Sequence, residues 1–144
     1  MNSLDQLVIQ LLTVAHAFTG YSVPATPPEL RFVPQSELQE AACDRPCEIY
    51  GWFPPGKVIY LDQRLDPLKN VAAQGILLHE LTHFLQQNVG AYEDEPACEA
   101  WALREREAYR VQARWLARQQ VAAWPVVGAG IPPWALACRQ KTSE

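Results

Sequence analysis

Residues 76–87 read ILLHELTHFLQQ. Wound at 3.6 residues per turn, Ile76, Leu77, Leu78, Leu81, Phe84 and Leu85 point to nearly every side of a helix, so that helix must be enclosed by protein. His79, Glu80 and His83 sit inside the same apolar segment, where polar groups without partners are costly. The fold therefore has to surround one central helix and satisfy these three side chains. A chain of 144 residues can bury roughly two-thirds of its unfolded surface, enough for one core. Its 49% hydrophobic content, with five Trp, five Tyr and four Phe, supplies the bulk to fill it.

Charge narrows the function classes. Sixteen acidic residues against twelve Lys and Arg give a net charge of −4, so no chain-wide basic field exists to hold a phosphate backbone, and a nucleic-acid partner is not expected. No apolar run reaches the length of about 20 residues that a membrane-crossing helix needs, so no transmembrane segment is expected either. The cysteines are Cys43, Cys47, Cys98 and Cys138. An even number permits two disulfides and favours an oxidising compartment. The short spacing of Cys43 and Cys47 allows them to close a small loop, leaving Cys98 for Cys138; free thiols and a separate metal site are the alternatives.

The first helix is expected from Leu4, Leu7, Val8, Leu11, Leu12 and Ala15, with Ser3 as cap and Gln6 at the capping-box position. LVIQLLTVAHA has the length of an export-signal core, but MNSLDQ carries an Asp and no Lys or Arg, so a helix of the folded domain is the better reading. ELRFV, between prolines, predicts a short strand, and QSELQEAACDRPC a helical turn leading into the cysteine loop. EIYGWFPPGKVIYLD predicts a hairpin turning at Pro55–Gly56 in type II geometry. Asp66 followed by Pro67 predicts the start of the central helix, which should stop at Gly90. A last long helix is expected from about Pro96 to Ala123, followed by a mostly irregular tail. This order is that of an α+β domain.

His79 and His83 are one helical turn apart, so both imidazoles leave the same face and can reach one ion. Zinc suits imidazole ligands and keeps a water-occupied fourth position when its site is catalytic. Glu80 lies about 100° round the helix, where it can take a proton from that water and deliver it to a leaving amine.

A catalytic zinc needs a third protein ligand, and the last helix offers Glu99, Glu105 and Glu107. By helical geometry Glu105 shares a face with Trp101, Ala108, Tyr109, Gln112 and Leu116, the face that must pack inward. Glu99 falls beside Arg106 and Arg110, and Glu107 beside Arg114 and Arg118, in what reads as a solvated stripe. Glu105 is the favoured ligand, with the other two as alternatives.

His79, Glu80 and His83, followed by a helix carrying Glu105, resemble the gluzincin zinc metallopeptidases. Within that family, EREAY is similar to the E-x-x-A-D pattern of the membrane-linked and minimal single-domain members, with Tyr109 where the family usually has Asp. The resemblance covers roughly residues 57 to 116. It implies a zincin-like α+β fold, in which a small hairpin or sheet packs on the active-site helix and a long glutamate-bearing helix, as a single domain over 1–144. It also implies a zinc-dependent peptidase with a peptide or protein substrate, one zinc on His79, His83 and Glu105, and Glu80 as general base and acid. Tyr109 can replace the aspartate's hydrogen bond to a zinc histidine or stabilise an oxyanion; Tyr92 and Tyr60 are further oxyanion candidates. KVIYLD would be the edge strand that pairs with an extended substrate, or else a strand inside the sheet. Trp52 and Phe53 belong to the core or to a cleft wall. With the cysteines, the family likeness favours a periplasmic or secreted protein. The rival reading is a silent or latent zinc-binding accessory domain, its site covered by the tail and Cys138 as an extra ligand.

Overall fold

The computed structural model describes residues 2–43 and 48–119. Among them the order is α1 (Ser3–Thr19), β1 (Glu29–Val33), α2 (Gln35–Ala42), β2 (Gly51–Trp52), β3 (Val58–Asp62), α3 (Val71–Val89) and α4 (Ala97–Arg118). This is a mixed α+β arrangement of four helices and one three-stranded sheet.

The enclosed helix is α3. It packs chiefly against α4, with α1 and the sheet around it. Leu77, Leu78, Leu81 and Leu85 are fully buried and meet Leu11 and Leu12 of α1, Ile59 and Leu61 of β3, and Val111, Trp115 and Leu116 of α4 in one core. Truncating any of these leucines to Ala should cost about 2–5 kcal/mol. The helix starts at Val71, later than Asp66–Pro67 predicted, because Asn70 supplies the cap by accepting from the Ala73 N–H at 2.9 Å. Asp66 instead closes a separate turn, its side chain accepting from Leu68 and its carbonyl from Lys69 and Asn70. The stop is where it was expected: Gly90 takes the left-handed conformation, φ 68°, which glycine adopts without steric cost.

α1 is capped one residue earlier than expected. Asn2 and Asp5 form the reciprocal capping pair in place of Ser3 and Gln6. α4 begins after Pro96 as predicted. Its expected end near Ala123, the tail and Cys138 lie outside the described residues.

The sheet order is β1-β3-β2, with β1 parallel and β2 antiparallel to β3. The hairpin is present, pairing Gly51 with Leu61 and Trp52 with Tyr60. One open alternative is resolved and one expectation is corrected. First, β3 is the central strand, because ELRFV pairs along its other side with Glu29 opposite Val58. Among the described residues the edge beside α3 is β2. Second, Gly56 has φ 145°, outside the type II value of about +80°; the tip is held from α3, with the Gly56 N–H donating to Gln87 Oε1 at 2.7 Å and its carbonyl accepting from Gln87 Nε2 at 2.8 Å. At the far end of β3 the buried Asp62 carboxylate accepts from Arg64 and from Gln35, which also brackets the Ile49 backbone. No described helix is long and apolar enough to cross a membrane.

Candidate metal centre

The packing of α3 on α4 brings His79, His83 and Glu105 together. His79 Nε2 lies 3.2 Å from Glu105 Oε1, His83 Nε2 lies 2.9 Å from Glu105 Oε2, and the two Nε2 atoms are 3.2 Å apart. The two histidines meet different oxygens of the carboxylate; with one ligand atom taken from each residue, the three donors lie within 4.8 Å of one another, close enough to converge on a single ion. The donor set, two imidazoles and a carboxylate, can hold a metal ion.

The other ring nitrogens are also committed. His79 Nδ1–H donates to Gln112 Oε1 at 3.0 Å, and His83 Nδ1–H donates to Gln86 Oε1 at 2.8 Å. Both Nε2 atoms are thereby turned toward Glu105. Burial opposes charge on His83, but the hydrogen bond and negative charge of Glu105 outweigh it and raise the imidazole to about 9. Burial likewise opposes ionisation of Glu105, yet the hydrogen bonds from His79 and His83 hold its carboxyl well below the usual carboxylate range.

Glu80 is only 7% exposed and makes no hydrogen bond with any described residue. Burial raises its carboxyl above the ordinary range, opposed by the neighbouring histidines. It fits because β2 carries a glycine opposite it: a Cβ on Gly51 would stand 3.0 Å from both Glu80 Cγ and Glu80 Oε2. An unpaired buried carboxylate is costly, and one facing an open cleft is left for a ligand. That cleft has a volume of about 870 Å³ and contains His79, Glu80, His83 and Glu105, with Trp52 and Tyr109 among its walls.

Tyr109 packs its ring edgewise on His79, centroids 4.3 Å apart. The hydrogen bond expected of it toward a histidine is made by Gln112, which is three residues further along α4 and places its amide oxygen at Nδ1. Burial, then the charges of Glu105 and Glu80, raise the Tyr109 phenol above its ordinary range. Tyr60 and Tyr92 are not among the cleft's lining residues: Tyr60 stacks on Trp52, and Tyr92 lies in the turn after α3. Trp52 and Phe53 both line the cleft, and Phe53 also meets Phe84 edge-on at 5.9 Å.

Of the alternative ligands, Glu99 is exposed. Glu107 is not the solvated residue that its arginine neighbours suggested. It is half-buried, accepting from Tyr21 Oη at 2.7 and 2.9 Å and from Gln86 Nε2 at 3.0 Å. Trp101, expected to face inward, shares the cleft with Glu105, Tyr109 and Gln112 but is 43% exposed. The arginine stripe is partly engaged as well, with Arg114 and Arg118 lying over the Phe18 ring.

Sequence reading did not single out Gln86, Gln112 or Gly51. The only available signal was spacing, Gln86 three residues after His83 and Gln112 seven after Glu105. Neither Cys43 nor Cys98 is a free thiol; Cys47, and with it the proposed Cys43–Cys47 pairing, lies outside the described residues.

Fold and site together define the class: an α+β domain whose two longest helices carry a His-His-Glu group able to hold a metal. The chain belongs to the family described as Domain of unknown function (DUF6647), which it matches over residues 2–129. No curated protein and no solved structure matches it.

Proposed function

We propose that this is a zincin-like, zinc-dependent metallopeptidase of the gluzincin kind, with one Zn2+ held by His79, His83 and Glu105. The observation that carries the reading is the juxtaposition of a convergent three-donor group with a buried carboxylate, Glu80, that makes no hydrogen bond among the described residues, in one cleft. Structural zinc is generally closed by four protein ligands, whereas the described residues bring three donors to the cleft, the number typical of a catalytic site. Bound there, zinc supplies an acidified water and a polarised substrate carbonyl.

The chain's own residues do the rest. Glu80 takes the proton of the attacking water on its carboxylate and returns it to the leaving nitrogen. Tyr109, on the cleft wall beside His79, donates its hydroxyl hydrogen to the substrate oxygen that gains charge. The edge of β2 is beside Glu80, so an extended peptide can pair with it in the manner of an added strand, a role that the central position of β3 denies to KVIYLD. The substrate class is therefore a peptide or an extended protein segment. The absence of free thiols among the described residues agrees with a periplasmic or secreted setting.

The test is Glu80→Gln, assayed against a mixture of fluorogenic peptides with zinc content measured in parallel. The variant should keep its zinc and lose hydrolysis; turnover at the wild-type rate would refute the role of Glu80.

A further inference from the structure

Two glutamine amides stand against the inner ring nitrogens of the histidines, Gln112 at His79 Nδ1 and Gln86 at His83 Nδ1. A neutral imidazole ligates through whichever ring nitrogen lacks the proton, and the partner of the other nitrogen decides which that is. Gln86 and Gln112 are 1% and 2% exposed, so neither can exchange its partner for water. The orientation of Gln86 is not arbitrary. Its Nε2 donates to the Arg104 carbonyl at 3.0 Å and to Glu107 Oε1 at 3.0 Å, both groups that only accept. Turning the amide over would set its oxygen against two acceptors and its NH2 against His83. Oε1 must therefore face His83 Nδ1, and Nδ1 must carry the hydrogen.

Glu107 is held in turn by Tyr21, whose hydroxyl donates to both carboxylate oxygens. Tyr21 follows the left-handed Gly20 that ends α1, and its backbone is tied back to that end: its carbonyl accepts from His16 and its N–H donates to Thr19 Oγ1. The contact thus runs from the end of α1, across α4, to α3.

We propose that Tyr21, Glu107 and Gln86 form a positioning chain that presets His83 as an Nε2 metal ligand, Gln112 doing the same for His79. The inference rests on the metal-site reading above and adds residues that touch neither metal nor substrate. Loss of the Gln86 oxygen frees the His83 ring to rotate and to shift its proton. Glu107→Leu removes one of the two acceptors that orient Gln86, leaving only the Arg104 carbonyl, whereas Glu107→Gln keeps an oxygen able to accept from both Gln86 and Tyr21.

The experiment is competition for zinc against a chromophoric chelator, using wild type, Gln86→Leu, Glu107→Leu and Glu107→Gln. Histidine tautomers are read by 15N–1H NMR on the zinc-loaded wild type. Gln86→Leu should bind zinc about 10–100-fold more weakly, the loss typical when a histidine ligand's hydrogen-bond partner is removed. Glu107→Leu should weaken binding and Glu107→Gln should restore it to within about threefold of wild type. The NMR spectrum should show His83 protonated at Nδ1 and metal-bound at Nε2, which a merely structural glutamine would not enforce and which is readable even if Gln86→Leu fails to fold. Wild-type affinity in Gln86→Leu, or His83 bound through Nδ1, overturns the positioning chain while leaving the metal site intact. A wild-type chain that binds no zinc refutes the metal-site reading itself, and the positioning chain with it.

Discussion

Gly51→Ala is the smallest change that should separate Glu80 from the metal ligands. The added methyl would lie 3.0 Å from Glu80 Cγ and Oε2 and 3.2 Å from Ile76 Cγ2, whereas carbon atoms pack best at about 3.5–4.0 Å. Relief requires a displacement of about half an ångström at two side chains, both on α3 and both buried. Gly51 does not have the positive φ that only glycine tolerates well, so alanine costs no backbone strain and the effect is packing alone. Overpacking of this size costs about 1–3 kcal/mol. In a domain of this length that is a fall in Tm of roughly 3–10 °C. The three nearest atoms belong to Glu80 and Ile76 and none to His79, His83 or Glu105, so zinc content should be unchanged. If Glu80 is the proton carrier, kcat/KM should fall by about 10–100-fold, since misplacement by about 1 Å can cost two orders of magnitude. Melting by calorimetry, zinc by elemental analysis and peptide hydrolysis on the same sample read all three. Wild-type melting together with wild-type turnover would refute the packing argument, and loss of zinc would refute the separation of Glu80 from the ligands.

Two further outcomes follow from groups other than the proposed ligands and Glu80. Asp62 is fully buried, and the Arg64 hydrogen bond outweighs burial to hold its carboxyl at about 2, below the ordinary 3.8. Because the folded value is the lower, its stabilisation is complete above about pH 5 and lost as pH falls toward 2. With Arg64 largely exposed and screened, that loss is about 2 kcal/mol. Acid unfolding of wild type should therefore lose its stability advantage over Asp62→Asn by that amount across this range, and an advantage independent of pH would contradict it. Gln87→Ala removes both bonds to Gly56, so the Gly56 amide should exchange with solvent measurably faster while zinc content holds. Unchanged protection would show that the hairpin tip is held by something else.

What could be read from residue order was mostly local. The i, i+4 histidines need no tertiary information to share a face, and the apolar positions around α3 already imply its burial. Glu105 was reached by projecting α4 onto its inward face, and the structure brings it to both histidines. The same projection misplaced Glu107, since a helix wheel shows direction but not what reaches in from the side. Tyr21 lies 86 positions from Glu107 in the chain, and no local pattern announces that contact. The β1–β3 pairing escaped for the same reason: a hairpin is a short-range signal, whereas parallel pairing across a crossover is not. At the start of α3, Asp66–Pro67 and Asn70 are both good caps, and only packing of the first turn selects the second. Glutamines beside histidines carry no charge pattern to mark them, so the residues that orient the ligands were the least legible part of the site.

The most direct test of the central claim is zinc per chain by elemental analysis, with Glu105→Ala purified beside the wild type and both supplied with zinc without chelators. The His-His-Glu centre predicts about one zinc in the wild type and loss of most of it in the variant. Equal zinc in both would contradict Glu105 as a ligand, and no zinc in either would contradict the metal centre altogether.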